Sequence, residues 1–397
     1  MPFFEHVPLA PPDPILGLTA AYFADPRENK VNLGVGYYKD EMLRTPIMQC
    51  VKQAERVLLE SEPNKEYLPI DGHKTFIEKV AEMVFGQAFW KKELSRIAGF
   101  QTIGGTGALK IGGTFCKEEV DRPIFIPVPT WPNHRGVFTG CHLRIDSYPY
   151  YDLKTHKLAW DLFLDFLEKR EEGSIIVLHA SCHNPTGRDP SMEQWKTLAE
   201  VMRRKKLIPF FDCAYQGFGE GLEEDAQAVR LFAESGLEMF VAFSAAKNFS
   251  LYGERVGALF ILAQTATTAE HITSRVKQMI RTNYSNPPRH GVAVVAHILS
   301  DASLHAQWKK ELHHMRERIN RMRKELAERL IQQSKTHDFQ HLKSGLGMFC
   351  FTGLDEGQVE RLRLEYGIHM PRDGRINVCG LNQNNIEYVV DSLLRVT

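Results

Sequence analysis

Three things this chain lacks bound what it can be. It has no excess of charge: 49 lysines and arginines balance 49 aspartates and glutamates in 397 residues. Nothing global draws such a chain to nucleic acid or to an acidic membrane, so any anion it binds must be held by a local cluster. It has no long apolar run; the longest, such as 257–263, fall far short of the ~20 residues that span a bilayer. It has no paired cysteines. Cys50, Cys116, Cys141, Cys182, Cys213, Cys350 and Cys379 stand singly, odd in number, with no CxxC pair and no zinc-ligand spacing. Free thiols in a reducing compartment are the expectation. The first residues, Met1 to His6, lack the basic patch and apolar run of a secretory signal. Internal repeats and low-complexity tracts are missing too. These absences predict a soluble, cytoplasmic protein that meets neither nucleic acid nor membrane.

What is present is a large apolar fraction, 43%, in a chain too long for one ordinary domain. At roughly 100–200 residues per domain, two or three units are expected. Prolines crowd residues 8–14, which excludes helix and central sheet there and predicts an extended arm over 1–14. From about residue 48, helical periodicity alternates with short apolar runs at 123–129, 174–180, 208–214, 239–243 and 256–263. Each has strand length and is rich in Ile, Val and Phe. Continuous apolar strands alternating with helices predict a buried, mostly parallel sheet flanked by helices, an α/β fold. Beyond residue 300 the texture changes. Leu304, Trp308, Leu312, Met315, Ile319, Met322, Leu326 and Leu330 recur at steps of three and four. They form the packing face of one long helix. Short strands at 347–352 and 375–379 and a closing helix from about Asn385 follow. The expected organisation is a large domain over 48–310 and a smaller α/β domain built from both chain ends, 15–47 and 311–397.

Three consecutive apolar runs end in polar residues of unusual kinds. They give HNPTG at 183–187, DCAY at 212–215 and SAAKNF at 244–249. In open α/β sheets ligands gather outside the carboxyl ends of the strands, so an amide, a carboxylate, a phenol and an amine should converge at one crevice. Taken singly, each segment has a plain structural explanation. HNPTG is a good turn, an aspartate after a strand often caps a helix, and a lysine there is usually solvated.

Together and in order, these segments resemble the aspartate aminotransferase family, in the class I group that uses pyridoxal 5'-phosphate. The stretch SAAKNFSLYGERVG (244–257) is similar to that family's cofactor-lysine segment, and FDCAYQGF (211–218), HNPTG (183–187) and GRINVCG (374–380) also match. YLPIDG (67–72), GGTGAL (104–109), WPNH (131–134) and RTNYSNPP (281–288) complete the set. The resemblance covers nearly the whole chain, from about Asn32. It implies a fold-type I pyridoxal-phosphate transferase and a homodimer with shared active sites. The implied reaction moves the amino group of aspartate to 2-oxoglutarate by a ping-pong mechanism, giving oxaloacetate and glutamate.

The resemblance also assigns roles. Lys247 would hold the cofactor as a Schiff base and, once displaced, shuttle the proton. Asp212 would sit beside the ring nitrogen with His134 as its partner. Trp131 would stack on the ring, and Asn184 and Tyr215 would donate to the ring oxygen. For the phosphate it implies the glycine-rich turn Gly104, Gly105 and Thr106 ahead of a helix at about 108–116, a natural anion cradle. Ser244 and Arg255 join it, with Tyr67 reaching across from the neighbouring subunit. Arg375 would fork onto the substrate α-carboxylate, which lysine cannot do, with Gly36 close by and Phe349 walling the pocket. Arg281 would cross from the partner to grip the substrate's side-chain carboxylate. The chain departs from the family where serines are usual, at Gly104 and Ala246, and where glycine and asparagine are usual, at Ser250 and Gly253.

Two rival readings fit the residues less well. A dinucleotide-binding oxidoreductase has only part of its glycine fingerprint, with Lys110 at the third glycine position. A non-catalytic ligand-binding protein on the same fold would not need every ring-facing residue. Within the enzyme reading, an aromatic amino acid aminotransferase is the alternative to aspartate.

Overall fold

The computed structural model describes residues 2–9 and 14–397, so residues 10–13 of the proline-rich stretch lie outside the described residues. Pro14 opens the helix Pro14–Ala24, at the one helical position where a missing N–H costs nothing. Residue 14, placed in the expected arm, is therefore helical.

Seven strands make the central sheet: β1 (Ile97–Ile103), β2 (Ile124–Val128), β3 (Ile145–Pro149), β4 (Ile175–His179), β5 (Ile208–Cys213), β6 (Met239–Ser244) and β7 (Val256–Leu262). Their spatial order is β1-β7-β6-β5-β4-β2-β3. Only β7 runs antiparallel to its neighbours; every other pair is parallel. The mostly parallel sheet expected from the apolar runs is present, and five of its strands fall on those runs.

Strand alternation divides the core between two faces. Ile175, Val177, Phe210, Phe240 and Ala242 pack on one side beneath Leu109 and Ile111 of the helix Gly104–Phe115. Their chain neighbours Ile176, Leu178, Phe211, Val241 and Phe243 pack on the other. Both faces are dry, as a parallel sheet between helical layers requires.

Elements near the two chain ends meet each other. Val31–Asn32 pairs in parallel with Ile368–His369, and Phe349–Phe351 pairs antiparallel with Arg375–Asn377. The helix Ala302–Gln333 starts at an Asp301 cap whose carboxylate accepts from the Leu304 N–H at 2.8 Å. All eight residues of its expected apolar stripe are buried. It runs unbroken through the expected domain boundary near residue 310. Among the described residues, no helix is long and apolar enough to cross a membrane, and all seven cysteines are free and buried.

Candidate active site

β4, β5 and β6 are parallel neighbours, so their carboxyl ends open on one edge of the sheet. The register places His179 opposite Asp212, and Asp212 opposite Ala242. Beyond those ends lies a cavity of 390 Å³ lined by Gly36, Gly105, Thr106, Trp131, Asn184, Asp212, Tyr215, Ser244, Lys247, Arg255, Phe349 and Arg375. The turns after three strands and two distant segments, around 36 and 349–375, thus converge as the motif order predicted.

Asp212 is the last polar residue of β5 and is buried. His134 Nε2 donates to its Oδ2 at 3.1 Å, and His134 Nδ1 lies 2.8 Å from Thr130 Oγ1. Burial alone would raise the Asp212 carboxyl. The His134 hydrogen bond, with the charges of His134, His179 and Lys247, outweighs burial and holds the carboxyl below its ordinary value. A buried carboxylate kept ionised is what a protonated ring nitrogen needs beside it.

Lys247 lies in the turn after β6, its Nζ 4.6 Å from the centre of the Tyr215 ring. Burial lowers its amine from the ordinary lysine range; Asp212 pulls it back up and Arg255 pushes it further down. The neutral amine, which is the nucleophile and the base, is favoured accordingly. Asn184 Nδ2 donates to the Tyr215 hydroxyl at 3.3 Å, and Arg375 Nη1 donates to Asn184 Oδ1 at 3.3 Å. Arg375 is buried, with Nη2 donating to the Gly34 carbonyl at 2.9 Å and its guanidinium over the Phe349 ring at 4.7 Å. Its Nε has no partner.

The glycine-rich segment is not a turn ahead of a helix but the first turn of the helix Gly104–Phe115 itself. That corrects the expected boundary and leaves the anion-binding logic intact, because the free N–H groups are those of the helix start. Gly104 has φ +66°, and a Cβ there would sit 2.7 Å from Arg255 Nη2. A serine at that position would be strained and would press on the guanidinium. Arg255 Nη1 donates to the Tyr252 carbonyl at 3.1 Å, and no carboxylate pairs with Arg255 among the described residues.

Two expected residues lie elsewhere. Tyr67 is 89% exposed, and Arg281 is exposed, with Nη1 donating to Ser285 Oγ and Asn286 Oδ1. Their segments are joined to each other: Asn286 Nδ2 donates to the Leu68 carbonyl at 2.8 Å and Arg289 Nη2 to the Glu66 carbonyl at 3.2 Å. Two polar lining residues escaped the sequence reading as site residues, His179 and Tyr252. The signal for His179 was available, since it ends β4 as Asp212 and Ser244 stand at the ends of β5 and β6. Tyr252 accepts from the Tyr38 N–H at 3.0 Å and carries no sequence cue beyond its place in the lysine segment.

Three cationic groups, Lys247, Arg255 and Arg375, face one carboxylate in this cavity. Such a lining suits a ligand with more than one negative group. A phosphate at the helix start beside Arg255 and Ser244, a carboxylate at Arg375, and an aldehyde near the Lys247 amine would satisfy it. The residues present fit pyridoxal phosphate and an amino acid.

Comparison with known proteins agrees. Residues 28–393 match the family described as aminotransferase class I and II. The chain is similar to the aspartate aminotransferase of Haemophilus influenzae, 44% identical over 99% of this chain and 100% of that one. Among solved structures, it is similar to the aromatic-amino-acid aminotransferase of Burkholderia pseudomallei covalently bound to pyridoxal phosphate, with TM-score 0.96, 45% identity and 100% of both chains covered. It is also similar to the cytoplasmic aspartate aminotransferase of Saccharomyces cerevisiae, with TM-score 0.96 and 37% identity over 99% of this chain and 98% of that one.

Proposed function

This chain belongs to the class I and II aminotransferases, and from that premise we propose how its own residues carry the reaction. The protein is a pyridoxal-phosphate-dependent aspartate aminotransferase, passing the amino group of aspartate to 2-oxoglutarate and releasing oxaloacetate and glutamate. The bound cofactor supplies an electron sink that makes the α-proton of an amino acid removable.

Lys247 Nζ is the covalent anchor and, once freed, the base that takes the proton from the substrate α-carbon. The observation that carries this reading is a buried amine, its positive charge disfavoured, set beside Tyr215 and under the field of Asp212 in a cavity that also holds Arg255 and Arg375. Asp212 keeps its charge for the ring nitrogen, and His134 keeps Asp212 charged. Asn184 and Tyr215 would donate to the ring oxygen, and Trp131 would cover the ring. The N–H groups of Gly105 and Thr106, the Ser244 hydroxyl and Arg255 hold the phosphate, with Gly104 leaving room for Arg255. Arg375 forks onto the α-carboxylate, with Phe349 under its guanidinium and Gly36 facing the same space.

The remaining assignments concern a second copy of the chain. Tyr67 and Arg281 would serve the site of the partner in a homodimer, Tyr67 at the phosphate and Arg281 at the substrate side chain. Support comes from their exposure and from the hydrogen bonds that tie their segments into one surface. The segments 15–47 and 311–397 would form the smaller domain, supported by the pairing of Val31 with Ile368. Buried free thiols support a cytoplasmic location.

A purified protein with a near-ultraviolet or visible band, abolished by borohydride with fixation of the cofactor only when Lys247 is intact, is the expected result. A protein that stays colourless with added cofactor contradicts the reading. One observation favours aromatic substrates as a second reading: identity to an aromatic enzyme nearly equals identity to aspartate enzymes. Comparing kcat/KM for aspartate with that for phenylalanine and tyrosine separates the two.

A further inference from the structure

After β4 the chain must turn sharply to bring Asn184 into the cavity. The turn is made at Cys182, which has φ +53°, a left-handed conformation that a residue with a Cβ adopts only under constraint. The constraint is visible. Asp189 Oδ2 accepts from the Cys182 N–H at 2.6 Å and Asp189 Oδ1 accepts from the His183 N–H at 2.8 Å. Both oxygens of one carboxylate therefore grip two consecutive peptide groups, and the next residue is Asn184.

The same loop is closed at its other end. Gly187 N–H donates to the His183 carbonyl at 2.7 Å, and Leu346 N–H donates to the Gly187 carbonyl at 2.7 Å. No cation pairs with Asp189 among the described residues. Desolvation, with the like charges of Asp225 and Glu220, raises its carboxyl to about 6 against the pull of the two N–H donors. The ionised group is thus kept at some cost in a place where its two oxygens shape backbone and do nothing else.

We propose that Asp189 is a positioning residue for transamination: by holding the peptides of Cys182 and His183 it sets the angle at which the Asn184 amide meets Tyr215 and the cofactor ring oxygen. The proposal rests on the reading of Asn184 as a donor to that oxygen. Three observations link the two residues. The Asn184 side chain spans Tyr215 and Arg375 with bonds of 3.3 Å each. Its own N–H reaches His179 Nδ1 at only 3.4 Å, a weak hold. The strong, charge-assisted bonds lie immediately before it, on Asp189.

The test uses the holoenzyme and three variants, Asn184→Ala, Asp189→Ala and Asp189→Asn, with the double variant of Asn184→Ala and Asp189→Ala. The readouts are kcat, KM for aspartate, thermal midpoint, and the pH midpoint of the cofactor's visible absorbance. A donor aimed at an anionic ring oxygen weakens that oxygen's hold on the neighbouring proton, so Asn184→Ala moves the pH midpoint upward. Asp189→Ala moves it in the same direction by at least half as much, and lowers kcat on the order of tenfold or more through misplacement of the amide. Asp189→Asn, which keeps one acceptor, gives a smaller shift of the same sign and serves if the alanine variant does not fold. The double variant shifts no further than Asn184→Ala alone. An upward shift in Asn184→Ala with none in either Asp189 variant overturns the proposal and leaves the reading of Asn184 standing. No shift in Asn184→Ala overturns that reading, and the proposal with it.

Discussion

The buried half of the proposed site, which lines the chain's own cavity, and the exposed half, the two residues assigned to a partner's site, are built differently. Asp212, Asn184, Tyr215, Ser244 and Arg375 are all buried on one chain and hydrogen-bonded or packed into the sheet's edge. Tyr67 and Arg281 lie on exposed surface outside the cavity, Arg281 bonded to Ser285 and Asn286 of its own segment. Chemistry that depends on shifted proton affinities needs desolvation, which only a folded core supplies. Recognition of a carboxylate needs a charged fork that can arrive later. On the proposed assignment, a single chain would hold the cofactor's ring in place, and selection of a dicarboxylic substrate would fall to Arg281 presented by a second copy.

Breaking the buried half should have the largest effect. Lys247→Ala should lower kcat by about 10⁴-fold, the upper range for loss of a positioned proton-transfer group, and should abolish borohydride fixation. Retained fixation would show that another amine holds the cofactor. Arg281→Ala should come next. Loss of a charge-assisted pair to the substrate's second carboxylate, worth about 3 kcal/mol, lowers kcat/KM for aspartate on the order of 100-fold, with much less change for phenylalanine. Equal losses for both substrates would remove Arg281 from side-chain recognition.

Two smaller effects sharpen the buried half alone. In protein stripped of cofactor, the rate at which Lys247 reacts with a simple aldehyde should titrate below the ordinary value of 10.5, because burial penalises the ammonium form. Asp212→Asn removes the neighbour that favours that form, so the midpoint should fall further; a rise would contradict the geometry. Ser250 stands where the family usually has glycine and has φ +53°, with a buried hydroxyl that lacks a partner. Ser250→Gly should therefore raise stability by about 1 kcal/mol, read as a higher thermal midpoint with kcat unchanged. A lower midpoint would show that the hydroxyl is satisfied.

The contrast between halves also explains what could be read from sequence. Apolar runs at 174–180 and 208–214 announced β4 and β5 because strands covered on both faces have no polar interruption. β1 was hidden by its own chemistry: Gln101 and Thr102 are fully buried, with Gln101 accepting from the His73 N–H and donating to the Pro288 carbonyl. Satisfied polar residues inside a core look like loop. β3 lies at the sheet edge with Asp146 exposed, so no apolar run marks it. In the site, residues inside long motifs were legible together with their order. Asp189 was not, because it looked like a turn residue and only the folded backbone shows what it holds, whereas His179 carried a cue in its place at the end of β4. Only the family resemblance set Tyr67 and Arg281 apart as residues of a neighbour's site, and their exposure supports that assignment.

Mixing two inactive variants measures the difference between the halves most directly. One subunit carries Lys247→Ala and keeps Arg281; the other carries Arg281→Ala and keeps Lys247. If the site is shared across a two-fold dimer, each hybrid regains one complete site, and random mixing restores roughly a quarter of the native aspartate activity. Confirmed hybrids that recover no aspartate activity would contradict a site divided between two chains.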